Sequence, residues 1–444
     1  MKDFKKVIII GLGVSGRSAL RLMSSLNKEI VIVNKGQVSH IETLIQNDLG
    51  PEFTNYEIVL DEKGATLEHH GDADFIILSP GIPRDHALLN EIDLPIYNEV
   101  EVASWYIDEP IIAITGTNGK TTTVSFLSEC FKHSKYSCFT GGNIGFGLCD
   151  YVLSKNADSF KKCDFILLEL SSFQLESIKS FRSQVAAVLN ITFSHGERYQ
   201  NLSDYALAKG EIFKNTELGV FPKGLWESLG VKCPYNPTFQ ILDISDSQLI
   251  KNELNDLHEG LVDGLHIHGA HNLYNLYFAK KILEYLEIDL DCFKKACDTF
   301  KGVEYRFQYL GNINNIHIYN DAKSTNWQAT ETALNAIDSD MNVYSIIGGS
   351  LRGENDYSED FFKNYQEKVT TFILTGESGH YIKEQLENSL CDINYIYLEN
   401  LREIKKFLDS EVSSGVLVYS PAFPSFDQFK NYIERGDSFT KIFT

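Results

Sequence analysis

Short apolar runs rich in Ile, Val and Leu recur along the chain. Each is followed by small or polar residues and then by a stretch with helical spacing. In the first third the runs fall at 7–10, 29–33, 74–78 and 94–97, and in the middle at 110–114, 164–170 and 185–191. In the last third they fall at 316–319, 343–347, 372–374, 395–398 and 416–419. Runs that are apolar at every position suit strands covered on both faces, as in parallel sheets between helical layers. Their alternation with helices predicts doubly wound α/β architecture. Between 219 and 268 the pattern changes to short strands and turns, and a helix follows His271. No internal repeat, coiled coil or low-complexity tract interrupts the pattern.

Two of the predicted strands run into glycine-rich turns. The first turn is Gly11-Leu12-Gly13-Val14-Ser15-Gly16, a G-x-G-x-x-G between a strand and a helix. That context suggests a dinucleotide site, but the strand at 29–33 ends in Asn34-Lys35 where an acid would bind a ribose. Lys35 reads either as a phosphate partner or as an ordinary exposed lysine. Ser79-Pro80-Gly81-Ile82-Pro83 marks another strand end, where open α/β sheets meet ligands.

The second turn is Ile114-Thr115-Gly116-Thr117-Asn118-Gly119-Lys120-Thr121-Thr122. The first glycine of the common phosphate-loop pattern would fall at Ile114, so the loop here is a tighter form. Gly116, Thr117, Asn118 and Gly119 would offer backbone N–H groups at a helix start, which attracts anions. Lys120 would reach the terminal phosphates of a nucleotide, and Thr121 or Thr122 would face magnesium. Glu169 ends the strand at 164–170, where it reads as a magnesium ligand or as a structural carboxylate.

These features predict three α/β domains: a Rossmann-like domain at 1–106, a P-loop mononucleotide-binding domain at 107–301 and a Rossmann-like domain at 302–444. The 444 residues and 43% hydrophobic content suffice for that many cores. No apolar run approaches the ~20 residues of a membrane span. The N-terminus enters a glycine turn too early for a signal peptide, and the eight cysteines form no C-x-x-C pair. A reducing, cytoplasmic setting is therefore expected. A net charge of −21 argues against nonspecific nucleic-acid binding while leaving room for local anion pockets.

Further segments carry a resemblance to a known family. His271-Asn272-Leu273-Tyr274-Asn275, the run from Phe193 through His195 to Arg198-Tyr199, Ala208-Lys209 on a helix opened by Ser203, the run from Asn320 to Asn326, and Gly348-Gly349 occur in order. Together with the T-G-T-N-G-K-T loop they resemble the Mur ligase superfamily. Leu168-Glu169-Leu170-Ser171-Ser172-Phe173-Gln174 and the run from Ser420 to Asn431 narrow the resemblance to its D-glutamate-adding branch.

That resemblance implies ATP-dependent amide formation between D-glutamate and UDP-N-acetylmuramoyl-L-alanine, through an acyl phosphate, in peptidoglycan precursor synthesis. It implies ATP and two magnesium ions as cofactors and a monomeric enzyme. Lys120, Glu169, His195 and Lys209 would be catalytic; Thr121, Glu169, His195 and a carbamylated Lys209 would hold metal. Asn272, Asn275, Arg306, Asp321 and Lys323 would join the loop in binding ATP. Val14, Ser15, Asn34, Lys35, Ser79, Gly81, Asn143 and Ser171 would meet the UDP substrate, so the first domain would bind UDP. Thr325, Arg352, Ser425 and Tyr432 would surround glutamate. Taken alone, Asn272 and Asn275 also read as helix-start residues, and His195, Lys209 and Arg306 as ordinary surface groups.

The chain departs from the family pattern at Ser194, Tyr305 and Arg352, the last standing near a family lysine. Three other readings stay open here: a related ligase adding L-glutamate or another amino acid, a non-catalytic nucleotide-binding protein, and a nicotinamide oxidoreductase.

Overall fold

The computed structural model describes residues 3–62, 65–90, 92–155, 161–192, 196, 198–257, 270–337, 340–351, 357–389 and 393–444. Three sheets organise them. The first contains β1 (Lys6–Ile10), β2 (Glu29–Asn34), β3 (Tyr56–Leu60), β4 (Phe75–Leu78) and β5 (Ile96–Tyr97), in the order β3-β2-β1-β4-β5. All its pairs are parallel.

The second contains β6 (Ile111–Thr115), β7 (Cys138–Gly142), β8 (Phe165–Glu169), β9 (Ser183–Val188), β10 (Thr216–Pro222) and β11 (Thr238–Leu242). Its order is β11-β10-β9-β6-β8-β7, again all parallel. The third contains β12 (Gln308–Ile313), β13 (Ile316–Asn320), β14 (Val343–Gly348), β15 (Thr371–Thr375), β16 (Tyr395–Tyr397) and β17 (Gly415–Tyr419). Its order is β12-β13-β17-β14-β15-β16, with only β12 antiparallel to its neighbour.

The doubly wound α/β expectation holds in all three. Strands β1, β6, β14 and β17 are buried almost along their whole length, which is why they read as continuous apolar runs. Strands β3, β7 and β12 went unread in the sequence. Each is an edge strand and only partly buried; β7 and β12 carry no such run, and in β3 it shrinks to Ile58-Val59-Leu60. The chain forms two compact units: Met1–Asn252 with Tyr274–Ala296, and Glu253–Leu273 with Cys297–Thr444.

Two topological features mark candidate ligand crevices. In the first sheet β1 lies between β2 and β4; in the second β6 lies between β8 and β9. At such points successive connections leave in opposite directions and open a crevice at the strands' C-terminal ends. The helix Val14–Ser25 starts at the first crevice and the helix Lys120–Lys132 at the second. Between the two sheets runs the short helix Glu99–Ser104. Its Glu101 carboxylate accepts N–H bonds from Lys179 (2.8 Å), Ser180 (2.9 Å) and Phe181 (3.0 Å). Its Glu99 carboxylate, buried, accepts from the backbone N–H of Cys149 and from the Ser18 hydroxyl. Among the described residues no helix is long and apolar enough to cross a membrane.

Candidate functional site

The sequence of β6 and the turn after it builds the centre of the site. Ile114 pairs with Glu169 across β6 and β8, so the phosphate loop and the carboxylate leave the sheet side by side. Gly119 precedes the helix with φ +83°, a left-handed conformation open to glycine. A Cβ there would lie 2.3 Å from Oδ1 of Asn275, so glycine is also needed for the close approach of the helix Ala270–Tyr285.

Lys120 Nζ donates to the carbonyls of Gly116 (2.7 Å) and Thr117 (2.9 Å), folding over the loop. Thr121 Oγ1 donates to Glu169 Oε2 at 2.7 Å, and Asn143 Nδ2 donates to Glu169 Oε1 at 2.8 Å. Thr121, not the half-buried Thr122, is thus the hydroxyl that meets the carboxylate.

Lys209 closes the group from below. The helix carrying it, Leu202–Gly210, is capped by the Asn201 side chain accepting from Asp204 N–H, rather than opened by Ser203 as the sequence suggested. Its Nζ donates to the Gly116 carbonyl (2.9 Å) and lies 4.6 Å from the Tyr205 ring centre. At 1% exposure its pKa is held well below the usual lysine range. Burial is the main cause, Lys120 adds repulsion, and Glu169 opposes both. The shift moves the side chain toward its neutral form relative to an exposed lysine.

Glu169 and Thr121 present hard oxygen donors at a phosphate loop, a set that fits magnesium. Among the described residues no cluster of three or more His, Cys, Asp or Glu side chains forms a metal site. His195 and Arg352 lie outside the described residues.

Asn190, which sequence reasoning missed, holds the loop. Its Oδ1 accepts from Asn118 N–H (2.9 Å), its Nδ2 donates to the Asn118 carbonyl (3.0 Å), and its carbonyl accepts from Thr117 N–H (3.0 Å). An amide at the end of an otherwise apolar strand beside β6 was the available signal. Ser171 caps the helix Ser172–Leu175 in a reciprocal box with Gln174.

At the first crevice, Asn34 Oδ1 accepts from Leu12 N–H (3.0 Å) and its Nδ2 donates to the Lys35 carbonyl (3.0 Å). Ser79 Oγ donates to the Gly11 carbonyl at 2.8 Å. Val14, Lys35 and Gly81 are exposed there, and Ser15 is half-buried.

In the second unit, the buried Asp321 accepts from Phe307 N–H (2.9 Å) and Ser420 Oγ (2.7 Å), and burial pushes its pKa up to about 6. Arg306 is exposed between Tyr305 and Phe307, both at positive φ. Lys323 Nζ stands 5.0 Å from the Tyr432 ring centre. Ser425 is buried and Thr325 half-buried. Arg435, also unread in the sequence, donates to the carbonyls of Phe423 (2.8 Å) and Ala322 (2.7 Å) and so pins the segments bearing Ser425 and Lys323.

A phosphate loop beside a buried carboxylate and a desolvated lysine suits a nucleotide-dependent enzyme, and the comparisons with known proteins make its class a ligase. Residues 114–221 match the Mur ligase middle domain. The chain belongs to the Mur ligase family, whose members form amide bonds at the expense of ATP.

A UDP-N-acetylmuramoylalanine–D-glutamate ligase of Thermoanaerobacter sp. (strain X514) is 32% identical, with 98% of this chain and 97% of the relative covered. The enzyme of the same name from Caldanaerobacter subterraneus is also 32% identical, over 98% of this chain and 97% of its own. Among solved structures, the UDP-N-acetylmuramate–alanine ligase MurC of Thermotoga maritima aligns with a TM-score of 0.56 at 18% identity, covering 99% of both chains. The MurF ligase of the same organism, in complex with ADP, aligns at 0.57 and 16% identity, covering 93% of this chain and 94% of its own. These two share the three-domain fold.

Proposed function

We propose that this chain uses ATP to join D-glutamate to UDP-N-acetylmuramoyl-L-alanine in peptidoglycan precursor synthesis, acting as a monomer in the cytoplasm. The observation that carries the reading is the grouping of Lys120, Thr121, Asn143, Glu169 and Lys209 around one phosphate loop, in a chain that matches D-glutamate ligases along nearly its whole length.

In this reading residues 1–106 bind the UDP portion, through Val14, Ser15, Asn34, Lys35, Ser79 and Gly81. Residues 107–301 bind ATP and the alanyl end, with Asn143 and Ser171 on the substrate and Asn272 and Asn275 on ATP. Residues 302–444 supply Arg306, Asp321 and Lys323 to ATP, and Thr325, Arg352, Ser425 and Tyr432 to glutamate.

The alanyl carboxylate attacks the γ-phosphorus of ATP, giving an acyl phosphate and ADP. The glutamate amine then attacks the acyl carbon, loses a proton, and phosphate leaves. Such chemistry depends on alignment and on charge neutralisation more than on proton shuttling. Gly116 to Gly119 offer N–H groups and Lys120 a cation to the phosphates. Magnesium, when bound, would offset phosphate charge, with Thr121 holding one ion and Glu169, His195 and a carbamylated Lys209 holding a second. A neutral Lys209 amine is the form that carbon dioxide can modify, and its burial supports that role.

The test is phosphate release with UDP-N-acetylmuramoyl-L-alanine, ATP and, in turn, D-glutamate, L-glutamate, meso-diaminopimelate and L-lysine. Turnover with D-glutamate alone is expected. Turnover with another member of the panel moves the chain to another branch, and none with any moves it outside catalysis.

A further inference from the structure

Arg198 has no role in the reaction as described, yet its guanidinium joins two parts of the candidate substrate path. Nε and Nη2 grip the Glu176 carboxylate at 3.1 and 2.5 Å. Nη1 points the other way, to the carbonyls of Pro80 (2.9 Å) and Ile82 (3.4 Å). The guanidinium carbon lies 4.4 Å from the ring centre of Phe173. Glu176 accepts a further bond from Tyr199 Oη at 2.5 Å. Both charged side chains are largely withdrawn from water, at 12% and 14% exposure.

Each end of this link matters to the site. Pro80 and Ile82 bracket Gly81 in the turn after β4, beside Ser79, which bonds the glycine turn. Glu176 and Phe173 belong to the short helical segment that follows Glu169 and Ser171. A surface ion pair would contribute little. A planar fork that holds a carboxylate with one edge and two carbonyls with the other sets a distance as well as a charge balance.

We propose that Arg198 is a positioning residue: it fixes the spacing between the turn at 79–83 and the segment at 169–176, so that a nucleotide sugar anchored at the first sheet presents its carboxyl end at the second. The proposal rests on the substrate reading given above. UDP alone needs only the first end of this span, whereas the full nucleotide sugar needs both.

The test uses the full chain with Arg198→Lys, Arg198→Ala and Glu176→Gln. Affinities for UDP and for UDP-N-acetylmuramoyl-L-alanine are measured by calorimetry, with KM for each substrate and melting temperature alongside. Arg198→Lys keeps the charge but not the fork. It should weaken the nucleotide sugar on the order of 10-fold or more, leaving UDP affinity and the ATP KM within about twofold. Glu176→Gln should move the same way by less. If Arg198→Ala does not fold, the other two variants still decide.

Equal losses for UDP and nucleotide sugar would make Arg198 a fold-supporting residue only, and unchanged affinities would overturn the proposal outright. Calorimetry separates this outcome from failure of the function itself. A wild-type chain that binds the nucleotide sugar more tightly than UDP but does not ligate D-glutamate leaves the Arg198 comparison readable. One that binds both equally refutes it.

Discussion

The glycine turn after β1 and the phosphate loop after β6 hold the same place in their sheets and are built from different chemistry. The first is closed by neutral groups. Leu12 N–H meets the Asn34 amide, Ser79 meets the Gly11 carbonyl, and a Cβ on Gly16 would lie 1.8 Å from that carbonyl oxygen. The second is crowded with ionisable groups, Lys120, Glu169 and Lys209, under a similar strand–turn–helix frame. The frame alone therefore says where an anion would sit, and the side chains around it say whether phosphate is merely held or is also transferred.

The most severe way to break the second loop is Lys120→Ala. It should lower kcat for ligation on the order of 10³-fold, since it removes a cation from a transferring phosphoryl group. UDP affinity, which the proposed function assigns to the first loop, should stay within about twofold by calorimetry. Near-normal phosphate release in the variant would remove Lys120 from the chemistry.

Lys209 comes next. Lys209→Ala should lose activity on the order of 10²-fold or more, and short carboxylic acids such as formate or acetate should restore part of it by standing in for a carbamate. Lys209→Arg should stay inactive with or without those acids, because arginine keeps a positive charge beside Lys120 and cannot be carbamylated in this way. Normal turnover by Lys209→Arg would return Lys209 to a structural role.

Much of both loops was legible beforehand because their strands are central and apolar throughout. Edge strands were not. β3 has only three aliphatic residues in a row and none of its five is buried, β7 ends in two glycines, and β12 is half-exposed along its length. β12 had a different signal, the pair Asn314-Asn315. Both residues take positive φ (54° and 64°) in the two-residue turn that pairs β12 with β13. Within the site, the family resemblance gave residue types and order, but Thr121 rather than Thr122 facing Glu169 depends on helix phase. Asn190 acts through the backbone of the loop, and Arg198 joins the Glu176 carboxylate to the carbonyls of Pro80 and Ile82, partners too far apart in sequence to leave a pattern in side-chain spacing.

The joint between the two regions offers a smaller perturbation. Glu99 accepts from Ser18 on the helix after the first turn and from Cys149 in the central sheet's layer. Burial, with repulsion from Asp150, pushes its pKa up to about 7 against those bonds. The folded state thus holds the proton more tightly than the unfolded chain, whose value is near 4.5. Its favourable contribution is fully present below the unfolded value and is lost as pH rises through about 7. Glu99→Gln mimics the protonated acid. Denaturant titrations should show the variant gaining about 2–3 kcal/mol relative to wild type between pH 5 and pH 8. A difference that does not change with pH would mean that Glu99 is ionised in the folded protein.

The mildest change tests the neutral loop itself. Asn34 occupies the position where a dinucleotide site would place an acid, but its amide is engaged by Leu12 N–H and by the Lys35 carbonyl. An acid could accept the first bond and could not donate the second. Asn34→Ala removes both, and two partly exposed neutral hydrogen bonds are worth about 1 kcal/mol each at most. UDP affinity should fall about fivefold, far less than ligation falls when Lys120 is removed, while NAD should bind neither protein measurably. Calorimetry on the full chain with UDP and NAD in parallel gives both answers. Tighter binding of NAD than of UDP by the wild-type chain would make the first crevice a dinucleotide site and would undo the contrast between the two loops.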